Sequence, residues 1–168
     1  EIDGVRVLAD PIWSTTATPL WIGVNRWFRP LVPLEALRDV DAVVISHDHY
    51  DHLDMDTVVT IADTQPDAVF VTTIGVGAHL ASWGIAEDRI RQADWWDEVV
   101  VPTGAGELRF TCGPARHFSG RWLERNLTQW GSWAITGSHA RGDWGPAWMN
   151  STQVGASTCP FFTFSPEE

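Results

Sequence analysis

The sequence contains no lysine, only two cysteines and no long apolar run. Cys112 and Cys159 are too few for a disulfide-based scaffold, which favours a reducing compartment. No apolar segment approaches the roughly 18 to 20 residues of a membrane-spanning helix. The chain begins without methionine and without a basic-then-apolar export signal, so we expect a piece of a longer protein. The expected location is cytoplasmic or peripheral to a membrane, with no transmembrane segment.

Basic charge is scarce as well. Eleven arginines stand against 22 acidic residues, giving a formal net charge of −11. Nucleic-acid phosphates require a basic face, so nucleic acid is excluded as a partner. An acidic surplus is compatible with a cation, because carboxylates gathered around a metal repel one another less. A length of 168 residues suits one domain.

The first ninety residues predict alternating strands and helices, the pattern of an α/β fold. Three strands are expected at residues 4–9, 41–46 and 68–72, a short helical turn at 34–38, a helix capped by Asp54 or Asp56, and a second helix at 76–83. The intervening residues 13–33 form a long loop. Residues 98–102 and 107–112 then predict a hairpin, and residues 131–136 a further strand.

From residue 137 onward the sequence has neither helical nor strand periodicity. We therefore place a boundary there, with a domain at residues 1–137 and an irregular tail at residues 138–168. A non-native origin of this tail is one interpretation.

Three histidines and three aspartates lie in the nine residues "SHDHYDHLD" at positions 46–54, directly after an apolar strand. In an extended segment residues i and i+2 point the same way, so His47 and His49 can reach one cation together. Asp51 and His52 follow after a turn and face elsewhere, which suggests a second metal close to the first. The alternative is a solvated polar turn.

The order His47-x-His49-x-Asp51-His52 resembles the signature of the metallo-β-lactamase fold. Further motifs resemble the branch of N-acylphosphatidylethanolamine-hydrolysing phospholipase D-like hydrolases: LADPIWS at 8–14, NRWFRP at 25–30, DWW at 94–96, PARHFSGR at 114–121 and RNLTQWGSW at 125–133. The resemblance implies an αββα sandwich. Its N-terminal half is present here, and its second half is expected to be missing or replaced.

The resemblance also implies a ligand set. His47, His49 and His117 would bind one metal, and Asp51 and His52 would bind the second and form the candidate catalytic pair. Asp143 approximates the family's bridging aspartate, with a surface turn as the alternative. The intact family binds two zinc ions, so one or two are expected here.

Four other residues have open roles. Asp10 can orient a ligand imidazole or cap a loop. Arg121 can contact a substrate phosphate or form a salt bridge within its loop. His79 is expected to be a packed or surface histidine, and Cys112 a small core residue.

The implied function is a metal-dependent hydrolase, in which hydroxide held by the metal attacks a phosphodiester of a lipid or other small-molecule substrate. One alternative is a lactonase or another carboxyl-group hydrolase on the same fold. The other is a catalytically inactive fragment that binds at most one metal. Tryptophans in the loops suit an acyl-chain wall or a peripheral membrane contact.

Overall fold

A computed structural model describes residues 1–18, 25–26, 28, 30–104, 106–138, 140–144 and 163–166, with only the backbone described in the last two ranges. Its regular elements are β1 (Val7–Ala9), β2 (Ala42–Ile45), α1 (Met55–Thr64), β3 (Val69–Thr73), α2 (Val76–Ser82), β4 (Ile90–Ala93), β5 (Glu98–Thr103), β6 (Gly106–Gly113), β7 (Ser132–Thr136), β8 (Ala140–Trp144) and β9 (Thr163–Pro166). Short 3-10 turns lie at Leu34–Ala36 and Glu87–Arg89.

The first four strands form a parallel sheet in the order β1-β2-β3-β4. All four residues of β2 are buried, which explains its unbroken apolar sequence, because such a strand is covered on both faces. The carboxyl ends of parallel strands meet at one edge of the sheet. Asp10 follows β1 and Ser46 follows β2, so both lie at that edge.

The remaining strands form an antiparallel sheet in the order β5-β6-β7-β8-β9. Along β6, Leu108 and Phe110 are buried, whereas the alternate residues Glu107 and Arg109 are exposed. Arg109 donates hydrogen bonds to Glu98 and Glu107, both at 2.7 Å, on the outer face of the sheet. One face of this sheet therefore joins the core and the other is charged.

Among the described residues, strand β5 is one of the two outer strands of this antiparallel sheet, and it pairs with β6 in a six-residue register. Within it, Pro102 lies opposite Glu107. Proline lacks an N–H group and is accommodated on outer strands. The hairpin predicted from residues 98–112 is confirmed.

Two layers of core hold the sheets and helices together. The first lies between the sheets and consists of Ile2, Val5, Ala42, Val44, Val71, Ala93, Val101, Leu108, Phe110, Cys112, Trp133 and Ile135. The second lies between the parallel sheet and the helices and consists of Val40, Val43, Ile45, Leu53, Val58, Ile61, Ala62, Ala68, Phe70, Val76, Leu80 and Ile85. The layers therefore run helices, parallel sheet, antiparallel sheet, and the mixed α/β class predicted from the sequence is confirmed.

The structure differs from the predicted elements in two places. Strand β4 was not predicted, because Ile90–Ala93 is short and has two exposed polar residues in its middle. The tail expected to be irregular contains β8, which pairs with β7, and β9, which pairs with β8. An antiparallel strand receives its hydrogen bonds from its neighbours, so it can form without a side-chain period. The origin of the tail and the boundary near residue 137 stay predictions.

Of the helices in the described ranges, α1 is the longest, with ten residues. Within the described residues, no helix is long and apolar enough to cross a membrane.

Candidate metal centre

Three histidine rings meet at the carboxyl edge of the parallel sheet. His47 and His49 follow β2, and His117 lies in the loop that follows β6 of the other sheet. The Nε2 of His47 lies 2.8 Å from Nδ1 of His49 and 2.9 Å from Nε2 of His117. The third edge of this triangle, from His49 Nδ1 to His117 Nε2, is 3.1 Å. The structure therefore brings together the three residues predicted to bind one metal.

Hydrogen bonds between the rings cannot account for all three short contacts between these nitrogens. Each nitrogen of a neutral imidazole either carries a proton and donates or has a lone pair and accepts. Among three mutually adjacent nitrogens, at most two of the three contacts can join a donor to an acceptor. A cation at the centre would accept all three lone pairs at once. Nitrogens around one tetrahedral zinc are about 3.3 Å apart, close to the observed edges. The donor set therefore fits a metal ion.

The surroundings of these three rings disfavour their charged form. Burial, followed by repulsion from His52, His117 and His49, lowers the pKa of His47 far below its usual range. Burial is also the main cause that lowers the pKa values of His49 and His117. Neutral imidazole is the form that binds metals, so the site favours the protonation state that ligation requires.

Asp10 lies behind this triangle and contacts His52 and Ser46. Its Oδ2 is 2.8 Å from Nδ1 of His52 and 2.6 Å from Oγ of Ser46, and its Oδ1 accepts the Ser46 backbone N–H at 2.7 Å. Its φ of 41° lies in the left-handed region, which aspartate and asparagine adopt more readily than most residues. Asp10 therefore orients an imidazole and also ties β1 to β2.

Asp51 and His52 lie beside the triangle. The ring centroids of His47 and His52 are 4.2 Å apart, and His52 Nε2 lies 3.7 Å from Asp51 Oδ2. Burial lowers the pKa of His52, but the hydrogen bond and charge of Asp10, aided by Asp51, outweigh it and leave the pKa raised. Among the described residues, His47, His49 and His117 are the side chains whose ligand atoms lie close enough together, all within 4.8 Å, to hold one metal ion. The second site predicted for Asp51 and His52 stays a prediction.

Arg121 forms hydrogen bonds to the backbone of residues 46–54, the segment that carries His47 and His49. Its NH1 donates to the backbone oxygens of Asp48 and Leu53 at 2.8 and 2.9 Å, and its guanidinium lies 4.0 Å from the centre of the Tyr50 ring. The Asp48 carboxylate in turn accepts the backbone N–H of Gly120 at 2.6 Å. The His117 loop is thereby fixed to the segment that carries the other ligands. These supporting roles of Asp48 and Arg121 were not predicted; the predicted phosphate contact of Arg121 stays a prediction.

Asp54 holds the loop after β1 against the same segment. Its carboxylate accepts hydrogen bonds from the backbone N–H of Ser14 at 3.0 Å and from the Ser14 hydroxyl at 2.7 Å. It also accepts from the Trp13 N–H and the Thr57 hydroxyl. Asp54 is the residue before α1, but its side chain does not cap that helix. The sequence predicts Asp54 as one of two candidate caps of α1, whereas in the structure its carboxylate binds the loop that follows β1.

The other candidate residues lie outside the triangle. His79 is in α2, with its Nε2 3.7 Å from Asp48 Oδ2, as expected for a packed or surface histidine. Cys112 is buried between the sheets, and burial raises its pKa to about 12, so it is a core thiol. Asp143 has its backbone in β8 opposite Ala134, and its side chain lies outside the described residues.

One aromatic side chain borders the triangle, in a loop that carries other exposed apolar residues. The Phe118 ring lies 4.6 Å from the His49 ring and 5.2 Å from the His117 ring, and 44% of the residue is exposed. Further along the same loop, Trp122, Leu123 and Leu127 are largely exposed. The loop that carries His117 therefore exposes apolar side chains, of which Phe118 lies against two of the histidine rings.

Comparison with known proteins gives the family. The model of the family described as the beta-lactamase superfamily domain matches residues 5–149. The chain belongs to this family. The match extends past residue 137, where the sequence had suggested a boundary.

Two relatives resemble this family member along nearly its whole length. Protein Rv0906 of Mycobacterium tuberculosis, which is uncharacterized, is 52% identical over 96% of this chain and 43% of its own. The N-acyl-phosphatidylethanolamine-hydrolyzing phospholipase D 1 of Caenorhabditis elegans is 30% identical over 96% of this chain and 48% of its own. The chain thus spans less than half the length of either relative.

A solved structure supports the fold. The isothiocyanate hydrolase from Delia radicum gut bacteria superposes with a TM-score of 0.54 at 24% identity, covering 83% of this chain and 54% of that one. The metallo-β-lactamase-like fold expected from the sequence motifs is thereby confirmed, as is the resemblance to the phospholipase D-like branch.

Proposed function

We propose that this chain carries the metal-binding half of a metal-dependent hydrolase. The observation that carries the proposal is the convergence of His47, His49 and His117, whose three ring nitrogens lie within 3.1 Å of one another. The donors come from two different sheets, so their meeting is not a consequence of sequence proximity.

Zinc is the proposed metal, since imidazole and carboxylate ligands suit it, although iron shares this preference. A divalent cation at this site would polarise a substrate oxygen and make bound water more acidic. The residues of the chain supply the rest of the proposed site. Asp51 and His52 would hold a second cation, and Asp10 keeps the His52 ring oriented toward it. Asp143 and Arg121 remain proposed as a further ligand and a phosphate contact.

The proposed substrate is a phosphodiester of a phospholipid-like molecule. Support comes from the 30% identity to the phospholipase D of Caenorhabditis elegans. The exposed loop carrying Phe118, Trp122 and Leu123 offers apolar contact area for acyl chains beside the histidines. The corresponding location is cytoplasmic or peripheral to a membrane.

Metal analysis tests the centre itself. We expect the purified chain loaded with zinc to retain about two equivalents if both sites form, and one if only the histidine triangle binds. His117→Ala should abolish retention at the triangle, because it removes one of three ligands. His79→Gln removes a histidine outside the triangle but keeps a polar side chain beside Asp48, and it should leave the retained zinc unchanged. Equal zinc retention by the wild type and His117→Ala would refute the assignment.

Turnover tests the substrate. Release of N-acylethanolamine from N-acylphosphatidylethanolamine would support the phosphodiesterase. Opening of a lactone ring without that release would favour the carboxyl-group hydrolase. If the zinc-loaded chain binds one equivalent and turns over neither substrate, it is a non-catalytic metal-binding fragment.

A further inference from the structure

A short series of hydrogen bonds between buried polar atoms connects the Asp10 carboxylate to His47, one of the three histidines of the triangle. Asp10 Oδ2 lies 2.6 Å from Ser46 Oγ, which lies 2.8 Å from His47 Nδ1. Asp10, Ser46 and His47 are all buried, with exposed fractions of 8%, 0% and 0%. These hydrogen bonds therefore form where water cannot replace them.

The protons in this series of hydrogen bonds can be assigned by counting donors. A serine hydroxyl has one proton, and a carboxylate oxygen accepts. At 2.6 Å, the Ser46 proton points to Asp10, so Ser46 Oγ offers a lone pair toward His47. His47 Nδ1 must then carry the proton that it donates to Ser46. The other nitrogen, Nε2, keeps its lone pair, and this is the atom that faces His49 and His117.

The same carboxylate acts on a second histidine without an intermediary. His52 Nδ1 lies 2.8 Å from Asp10 Oδ2 and donates to it. The Nε2 of His52 therefore also keeps its lone pair, on the side of Asp51 at 3.7 Å. One carboxylate thus faces the back of two imidazoles, through a hydroxyl in one case and directly in the other.

We propose that Ser46 is a positioning residue. Its hydroxyl donates to Asp10 and accepts from His47 Nδ1, an arrangement that we call the Ser46 relay. Through it, one carboxylate fixes the Nδ1–H tautomer of His47, and by a direct hydrogen bond it fixes that of His52. This inference rests on the proposed metal site for its purpose, but not for its geometry. It links the two sites, because a change at Asp10 alters a ligand of each, whereas a change at Ser46 alters only His47.

Nitrogen-15 NMR of the chain, kept metal-free with a chelator at a pH where its histidines are neutral, tests the tautomers directly. In the wild type, His47 and His52 should both show a protonated Nδ1 and an unprotonated Nε2. Ser46→Ala should remove this preference at His47 and leave it at His52, which serves as an internal control. Ser46→Thr keeps the hydroxyl and should restore the wild-type pattern.

A titration with Co²⁺, followed by its absorption spectrum, measures the consequence. Loss of a partner behind a ligand typically weakens metal binding by about 10- to 100-fold. We expect a loss in that range for Ser46→Ala and a change of less than about threefold for Ser46→Thr. If Ser46→Ala keeps both the His47 tautomer and the wild-type affinity, the relay is wrong.

Two further results separate the relay from the proposed function. If the wild type binds no Co²⁺ but shows the expected tautomers, the metal centre fails and the relay stands. If Ser46→Ala does not fold, Asp10→Asn decides, because asparagine also tolerates the left-handed φ of this position. Asp10→Asn should then change the tautomers of both His47 and His52; unchanged tautomers would overturn the relay.

Discussion

At the scale of single residues, the four histidines of the site are held in different protonation environments. The pKa values of His47, His49 and His117 are lowered, chiefly by burial, whereas Asp10 raises that of His52. Without metal, these shifts make folding sensitive to pH. The three lowered values and the one raised value act in opposite directions.

We expect the metal-free chain to lose stability as the pH falls below about 6.5, the usual histidine pKa in an unfolded chain. The three histidines with lowered pKa values take up protons on unfolding, so their contribution is present above that pH and lost below it. His52 contributes stability below that pH and loses it as the pH rises through its folded pKa; one such group only partly offsets three. Thermal unfolding with a chelator at pH 7.5 and 5.5 measures the net effect.

A variant checks the origin of this dependence. His117→Gln removes one of the three groups with a lowered pKa, so its unfolding midpoint should change less between the two pH values. A midpoint in the wild type that rises on acidification would contradict the prediction.

The ligands could be predicted from sequence at this scale, and their supports could not. His47 and His49 are recognisable because two residues apart in an extended segment share a side. His117 lies 70 positions from His47, and only the family resemblance connected the two in advance. The contacts of Ser46 and Arg121 leave no sequence signal, because each depends on a backbone or side-chain atom brought close by folding.

At the scale of elements, long-range side-chain contacts hold the end of α1. Arg89 donates from Nε to Ala68 O, from NH1 to Ala62 O and from NH2 to Gln65 O, at 2.7 to 3.0 Å. These carbonyls lie in the last turn of α1 and the segment that leads into β3. Terminal carbonyls of a helix lack partners within it, so this arginine satisfies groups that would otherwise depend on water.

We predict that Arg89→Ala lowers the free energy of unfolding by about 1–3 kcal/mol, the range for losing hydrogen bonds to a charged group. Arg91→Ala is the matched control, because Arg91 is exposed and bonds only nearby carbonyls among its described contacts. Its effect should stay within about 0.5 kcal/mol. Urea unfolding of the two variants measures both values, and equal losses would refute the role of Arg89.

The elements that sequence predicted best have a strong side-chain pattern. Strand β2 is a continuous apolar run, β3 begins with three apolar residues and is mostly buried, and α1 presents Val58 and Ile61 on one face. Strand β4 and the late strands β8 and β9 lack such patterns. Their positions are set by pairing with neighbouring strands, which a local reading of sequence does not contain.

At the scale of the whole molecule, the candidate metal centre lies where the two sheets meet. His47 and His49 directly follow β2 of the parallel sheet, and His117 lies in the loop after β6 of the antiparallel sheet. Other bonds cross the same junction: Trp133 Nε1 donates to Ile45 O at 3.2 Å, and Gly131 N donates to Ser46 O at 3.0 Å. A bound ion would add a link between the sheets.

We therefore expect zinc to stabilise the chain against unfolding. At a free zinc concentration 100 times the dissociation constant, binding adds about 2.7 kcal/mol, and the midpoint should rise by roughly 5–10 °C. His117→Ala should reduce this rise, because the triangle then loses the ligand that comes from the loop of the antiparallel sheet. Calorimetry with zinc and with a chelator checks the difference; an equal rise in His117→Ala would contradict a link between the sheets.

The position of Pro102 in the outer strand β5 has a consequence for how copies of the chain meet. An unpaired strand border can recruit a strand from another molecule and seed fibrous aggregation. Pro102 offers no N–H to such a newcomer, and Glu98 places a negative charge near the start of the same strand. Within the part of the chain that the structure describes, this border of β5 therefore resists the addition of a strand from another copy, which favours separate molecules in concentrated solution.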